Sequence, residues 1–158
     1  MPPKAKKSKR FKYNLQTLLK VREIRKKQAE DAYNEAQRQL EIERQKEEEI
    51  RKKEILAYAN FREYMKTGDL GDTGEINRHK THVEKVKLEL IRQIEAVRLA
   101  VEKVEEARLE LVKCLKDEKI MEKDKEHKRE AWRKLMDKEA GKFLDDISTV
   151  SFVKKTSQ

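Results

Sequence analysis

The chain has 158 residues, of which 45% are charged and 36% apolar, with a formal net charge of +9. That apolar share is lean for a globular core but ordinary for a coiled coil, and it is read as one structural unit. Four Phe, four Tyr and one Trp exceed what a highly charged disordered chain usually carries.

The first twelve residues hold Lys4, Lys6, Lys7, Lys9, Arg10 and Lys12 and no acid, so six of the nine net charges lie in this run. With Pro2 and Pro3 it reads as a basic flexible tail, residues 1–12. Beyond it nothing breaks a helix as far as Thr67, and Glu, Lys, Arg, Ala, Leu and Gln, the strong helix formers, dominate. A first helix is expected over residues 14–66, about 80 Å long at ~1.5 Å per residue. Its seam rows, seven apart, are Leu15, Arg22, Ala29, Ala36, Glu43, Ile50, Ala57 and Tyr64, beside Leu19, Lys26, Tyr33, Leu40, Glu47, Glu54 and Phe61. Charged residues interrupt both rows.

Gly68, Gly71 and Gly74 mark a turn over residues 67–73. Lys66 suits the dipole of a helix end, Gly68 is placed as the residue just past it, and Asp72 with Glu75 resembles a capping box. A second helix is expected over 74–140, folded back so that Leu40 lies opposite residue 100 and Leu15 opposite residue 125. Val83, Leu90, Val97, Val104 and Leu111 fall one heptad apart, with Ile94, Val101 and Leu115 beside them, which is coiled-coil periodicity. Leu88, Ile91, Leu99, Leu109 and Val112 widen this stripe. A wide stripe ordinarily packs against the same partner helix, although it could accept a third helix from another protein. Gly141 is read as a break before a short apolar segment, 141–150, and residues 151–158 as a flexible C-terminus. The fold class is therefore all-α: a long antiparallel two-helix coiled-coil hairpin, residues 13–150.

Chemistry-bearing motifs are scarce. No glycine-rich phosphate loop is present, and Asp69–Glu75 fails as a calcium loop because Gly71 and Thr73 stand where ligands are needed. Glu75, His79 and His82 could share a helix face but match no named zinc spacing, so no metal and no cofactor are expected. A two-helix rod offers no pocket for a nucleophile and base, so no enzyme is expected. Acids and bases are mixed along both helices, giving no basic stripe for nucleic acid. Cys114 is single, and nothing suggests an oxidising compartment. No apolar run approaches the ~18 residues that cross a bilayer, and no apolar h-region follows the basic tail. A cytoplasmic protein is expected.

The opening Phe11-Lys12-Tyr13-Asn14-Leu15-Gln16-Thr17-Leu18-Leu19-Lys20-Val21-Arg22-Glu23, followed by Gln28-Ala29, resembles the FliJ family of flagellar export proteins. Arg129-Glu130-Ala131-Trp132-Arg133-Lys134-Leu135 and Leu144-Asp145-Asp146-Ile147 are similar to that family's C-terminal stretch. The basic tail is longer than the family pattern. The resemblance implies an antiparallel coiled coil like the central stalk of rotary ATP synthases. Its implied partners are the hexameric flagellar export ATPase, the membrane export gate protein and export chaperones. It would then work at the inner face of the cell membrane, with its paired terminal ends entering the ATPase ring.

Carried onto this chain, Leu15, Leu18, Leu19 and Arg22 are the candidates for ring contact, with Trp132 and Leu135 near them. For the leucines, seam packing competes with contact. Arg22 on the seam needs an acidic partner, either in the ATPase or within the chain at Glu118 or Glu122. Asn14 can cap the first helix. Two other readings remain: an escort or chaperone binding clients through Leu88, Ile91 and Leu99, and a nucleic-acid or peripheral membrane contact through the basic tail. The equivalent stalk of a virulence type III secretion system differs only in the apparatus served.

Overall fold

The computed structural model describes residues 10–68 and 70–156. The flexible-tail expectation for residues 1–9, and the end of the chain at 157–158, lie outside them. Two helices make up nearly all of the described chain: α1, Gln16–Thr67, and α2, Thr73–Thr156. They form an antiparallel hairpin with no strand among the described residues.

The contacts group into two units. One comprises residues 1–26 and 114–158, the other residues 27–113. In each unit a stretch of α1 lies against a stretch of α2, and the inward stripe repeats with the heptad spacing of a coiled coil.

In the unit of residues 27–113 the best-buried apolar cluster is Ile50, Val86 and Leu90, at 6%, 5% and 7% exposure. Ala29, Ala57, Val83 and Ala100 are also buried. Small side chains at three of these positions let the helices approach closely. Polar seam residues are paired rather than simply solvated. The Gln93 side-chain amide donates to the Glu43 carbonyl at 3.0 Å and to its carboxylate at 2.6 Å. That donor, with Lys46, holds the Glu43 carboxyl below its usual range. Outside the seam, ion pairs such as Glu48–Lys52 and Glu105–Arg108 lie within one helix, where each contributes little.

Four expectations for the two helices and the tail need correction, besides one at the turn. The row beside Val83 and Leu90 is Val86, Gln93, Ala100, Ala107 and Cys114, all buried or half-buried; of the row expected there, Ile94 and Val101 are 43% exposed and Leu115 alone is half-buried. Asn14 does not cap α1; its side-chain oxygen accepts from Lys128 at 3.4 Å, and α1 begins two residues later. Gly141 does not break α2, which runs on through residues 141–150 and 151–156. An isolated glycine costs a helix about 1 kcal/mol, too little to stop propagation between good helix formers. Residues 10–12 are described and not wholly free, since Phe11 meets Trp132 with ring centroids 6.0 Å apart.

At the turn, the Asp72 carboxylate accepts from the backbone N–H of Gly74 at 3.0 Å and of Glu75 at 3.2 Å, so it caps α2. Glu75 does not reciprocate as a capping box would; its carboxylate bonds Arg78 at 2.5 Å. Gly68 is not left-handed, for no described glycine has positive φ. Its N–H continues the helical pattern to the Tyr64 carbonyl at 2.7 Å. Glycine is required there for space instead, because a Cβ would stand 2.5 Å from that carbonyl and 2.6 Å from the Tyr64 ring.

Candidate functional site

The opening motif and the C-terminal stretch meet within one unit. Tyr13 precedes α1 and is 8% exposed, and its hydroxyl donates to Asp124 at 2.6 Å. Lys128 pairs with the same carboxylate at 3.0 Å and lies 5.4 Å from the Tyr13 ring centroid. Together with the Phe11–Trp132 contact, these interactions fasten the start of α1 to α2.

Burial and the acceptor Asp124 push the Tyr13 phenol up to about 12. Asp124 moves the other way, held below its usual range by the Tyr13 hydroxyl and by Lys128. The phenol is raised in the folded state, so its contribution is complete below the ordinary tyrosine value of 10.0 and is lost as pH rises toward about 12. The contribution of Asp124 is present above the ordinary carboxylate range and is lost as pH falls through its lowered value. In an ultraviolet tyrosinate titration, Tyr13→Phe should remove the step near pH 12. A titration unchanged by the substitution would contradict this environment.

Two charged seam positions follow. Arg22 donates to Asp117 at 2.6 Å, and Lys26 donates to Glu118 at 3.0 Å. Glu118 is 6% exposed, the one buried charged residue among those described. Arg22 thus has an intramolecular partner, but it is Asp117, not Glu118 or Glu122. Residues 117 and 118 both lie near the level of Arg22, and the rotation of α2 decides between them. Arg22 Nε is buried with no hydrogen-bond partner among the described residues, a cost of about 1–3 kcal/mol for an orphaned donor.

The candidate leucines divide by face. Leu19 is 3% exposed and belongs to the seam, and Leu15 is half-buried beside it. Leu18 is exposed, as are Val21 and Ile24, which the sequence reading did not single out. Their spacing of three residues was the available signal, since it lays one apolar edge along the outer side of α1. Trp132 is half-buried and Leu135 exposed.

In the other unit Leu88, Ile91, Leu99 and Leu109 are all exposed, Ile91 by 62%. These four do not pack against α1 as a broad seam would; of the widened stripe only Val112 is half-buried. His79 stacks on Tyr64 and Phe61, with centroids 4.8 and 6.1 Å apart. Among the described residues no group of three or more His, Cys, Asp or Glu could hold a metal ion. No described helix is long and apolar enough to cross a membrane.

Comparison with known proteins agrees with this architecture. The profile of the family described as "Flagellar FliJ protein" matches residues 11–157. Among solved structures, that of "a putative YscO homolog CT670 from Chlamydia trachomatis" is similar, with a TM-score of 0.58 and 24% sequence identity. The match covers 94% of this chain and 100% of that one, and it shows a shared fold. No curated protein sequence matches significantly. With the match running from Phe11 to Ser157, the resemblance carried by the opening motif is borne out, and the chain belongs to the flagellar FliJ protein family.

Proposed function

We propose that this protein is a central-stalk-like coiled coil of the flagellar type III export apparatus. It binds the hexameric export ATPase through the end carrying the opening motif, and links that ATPase to the membrane export gate. It works in the cytoplasm, peripheral to the inner face of the membrane, and contributes mechanical or allosteric coupling rather than chemistry. The observation that carries the reading is the division of the motif in a family member. Leu19, Tyr13 and Trp132 fasten the end together, while Leu18, Val21, Ile24 and Leu135 are left exposed around it. Arg22 adds a cation whose Nε lacks a partner among the described residues.

The test is ATP hydrolysis by the same organism's export ATPase, with and without this protein. Stimulation is expected. Leu18→Glu, which leaves the seam intact, should weaken the apparent affinity about tenfold, as loss of ~1.4 kcal/mol would. Arg22→Ala in a chain that remains fully helical should act in the same direction. Undiminished stimulation by both variants would count against this end as the contact.

A second reading is favoured by the exposure of Leu88, Ile91 and Leu99. In it the protein escorts export substrates or their chaperones through that face of α2. Replacing these three residues by serine would then abolish client binding and leave ATPase stimulation intact. A corresponding stalk in a virulence type III apparatus is the remaining alternative, to be separated by which export ATPase responds.

A further inference from the structure

Every residue of α2 from Asp137 to Thr156 is exposed. An isolated helical stretch of this length is marginal in water, since helices draw most of their stability from packing an apolar face. Such a face exists here. Phe143, Ile147 and Val150, at 65%, 49% and 58% exposure, recur at helical spacing and lie along one face of α2 with Asp146, Ser151 and Lys154.

The order of charge on this face identifies its occupant. Asp146 stands four residues before Val150 and Lys154 four residues after it, while Ile147 and Val153 stand three before and three after. A face with that arrangement is self-complementary under a two-fold axis through Val150. Neither Asp146 nor Lys154 takes part in an ion pair within the described chain. We infer that the C-terminal face of α2 pairs antiparallel with the same face of a second copy of this chain. Val150 meets its counterpart, Ile147 meets Val153, and each Asp146 meets the other copy's Lys154. A parallel arrangement would set aspartate against aspartate and lysine against lysine. Pairing also covers an apolar strip that is otherwise adhesive. The contact is short and falls below about 1,200 Å² in total, the range of weak, reversible association.

Sedimentation of the full chain tests this. A monomer–dimer equilibrium is expected at concentrations up to about 100 µM, in keeping with a small interface. Asp146→Lys and Lys154→Asp should each weaken it about tenfold by placing like charges together. The double exchange Asp146→Lys with Lys154→Asp should restore it. Far-ultraviolet circular dichroism of each variant verifies that the hairpin is folded. Restoration by the double exchange is the result only an antiparallel pair produces. A chain that stays monomeric, or a dimer indifferent to the single exchanges, overturns the inference. These outcomes are independent of ATPase stimulation, so a monomer that stimulates fully sinks this inference alone and leaves the stalk reading standing.

Discussion

Replacing Ile50 or Leu90 by alanine should lower the unfolding free energy by about 2–3 kcal/mol, whereas Ile91→Ala should change it by less than about 0.5 kcal/mol. Ile50 and Leu90 join Val86 in the best-buried apolar cluster among the described residues. Truncation there removes three side-chain carbons from contact and leaves a void between two helices. The expected cost sits in the lower half of the range for core residues for a stated reason. No described side chain is less than 2% exposed, so solvent and neighbouring side chains can partly fill the gap. Ile91 follows Leu90 directly but is 62% exposed and has little burial to lose. Urea unfolding followed by helicity, with the three variants compared, measures the contrast. Equal losses at positions 90 and 91 would mean that α2 is rotated away from the orientation described.

Removing the cation at position 26 should be about as damaging, and removing its partner as well should largely reverse the damage. Lys26 holds Glu118, whose side chain is 8% exposed, at 3.0 Å. Lys26→Met leaves that carboxylate desolvated without its ammonium group. Because Lys26 itself is 28% exposed, the cost is expected at about 1–3 kcal/mol, below that of a fully buried pair. Lys26→Met combined with Glu118→Leu replaces the pair by apolar groups and should return stability to near the parent level. A double-mutant cycle in urea reads the difference. Additive losses would mean that Glu118 is adequately solvated and that the pair contributes nothing as a unit.

Much of the architecture was legible along the chain because it depends on local chemistry. The run of helix formers from Gln16 to Thr67, the three glycines after Met65 and the cap at Asp72 place two helices and one turn without any tertiary information. Once the turn is fixed, pairing follows by counting back along both arms. Counting from Leu15 opposite residue 125 sets Tyr13 opposite residue 127, and its hydroxyl reaches Asp124, about one helical turn away. The opening motif was also visible, although its division into buried Leu19 and exposed Leu18 needed the helix rotation.

That rotation is what the sequence left undecided. Val83, Leu90 and Val97 define one row, but either Val86 and Ala100 or Ile94 and Val101 can complete the stripe, and the second choice is the more hydrophobic. Two helices bury only the width that their facing ridges permit. The small Ala100 is taken into the seam, and Ile94 and Val101 are left at its edge. The same rotation gives Arg22 to Asp117 and Lys26 to Glu118. Helix formation and the turn are local and were set by the residues themselves; which faces meet depends on both helices at once, and only the tertiary structure decided it.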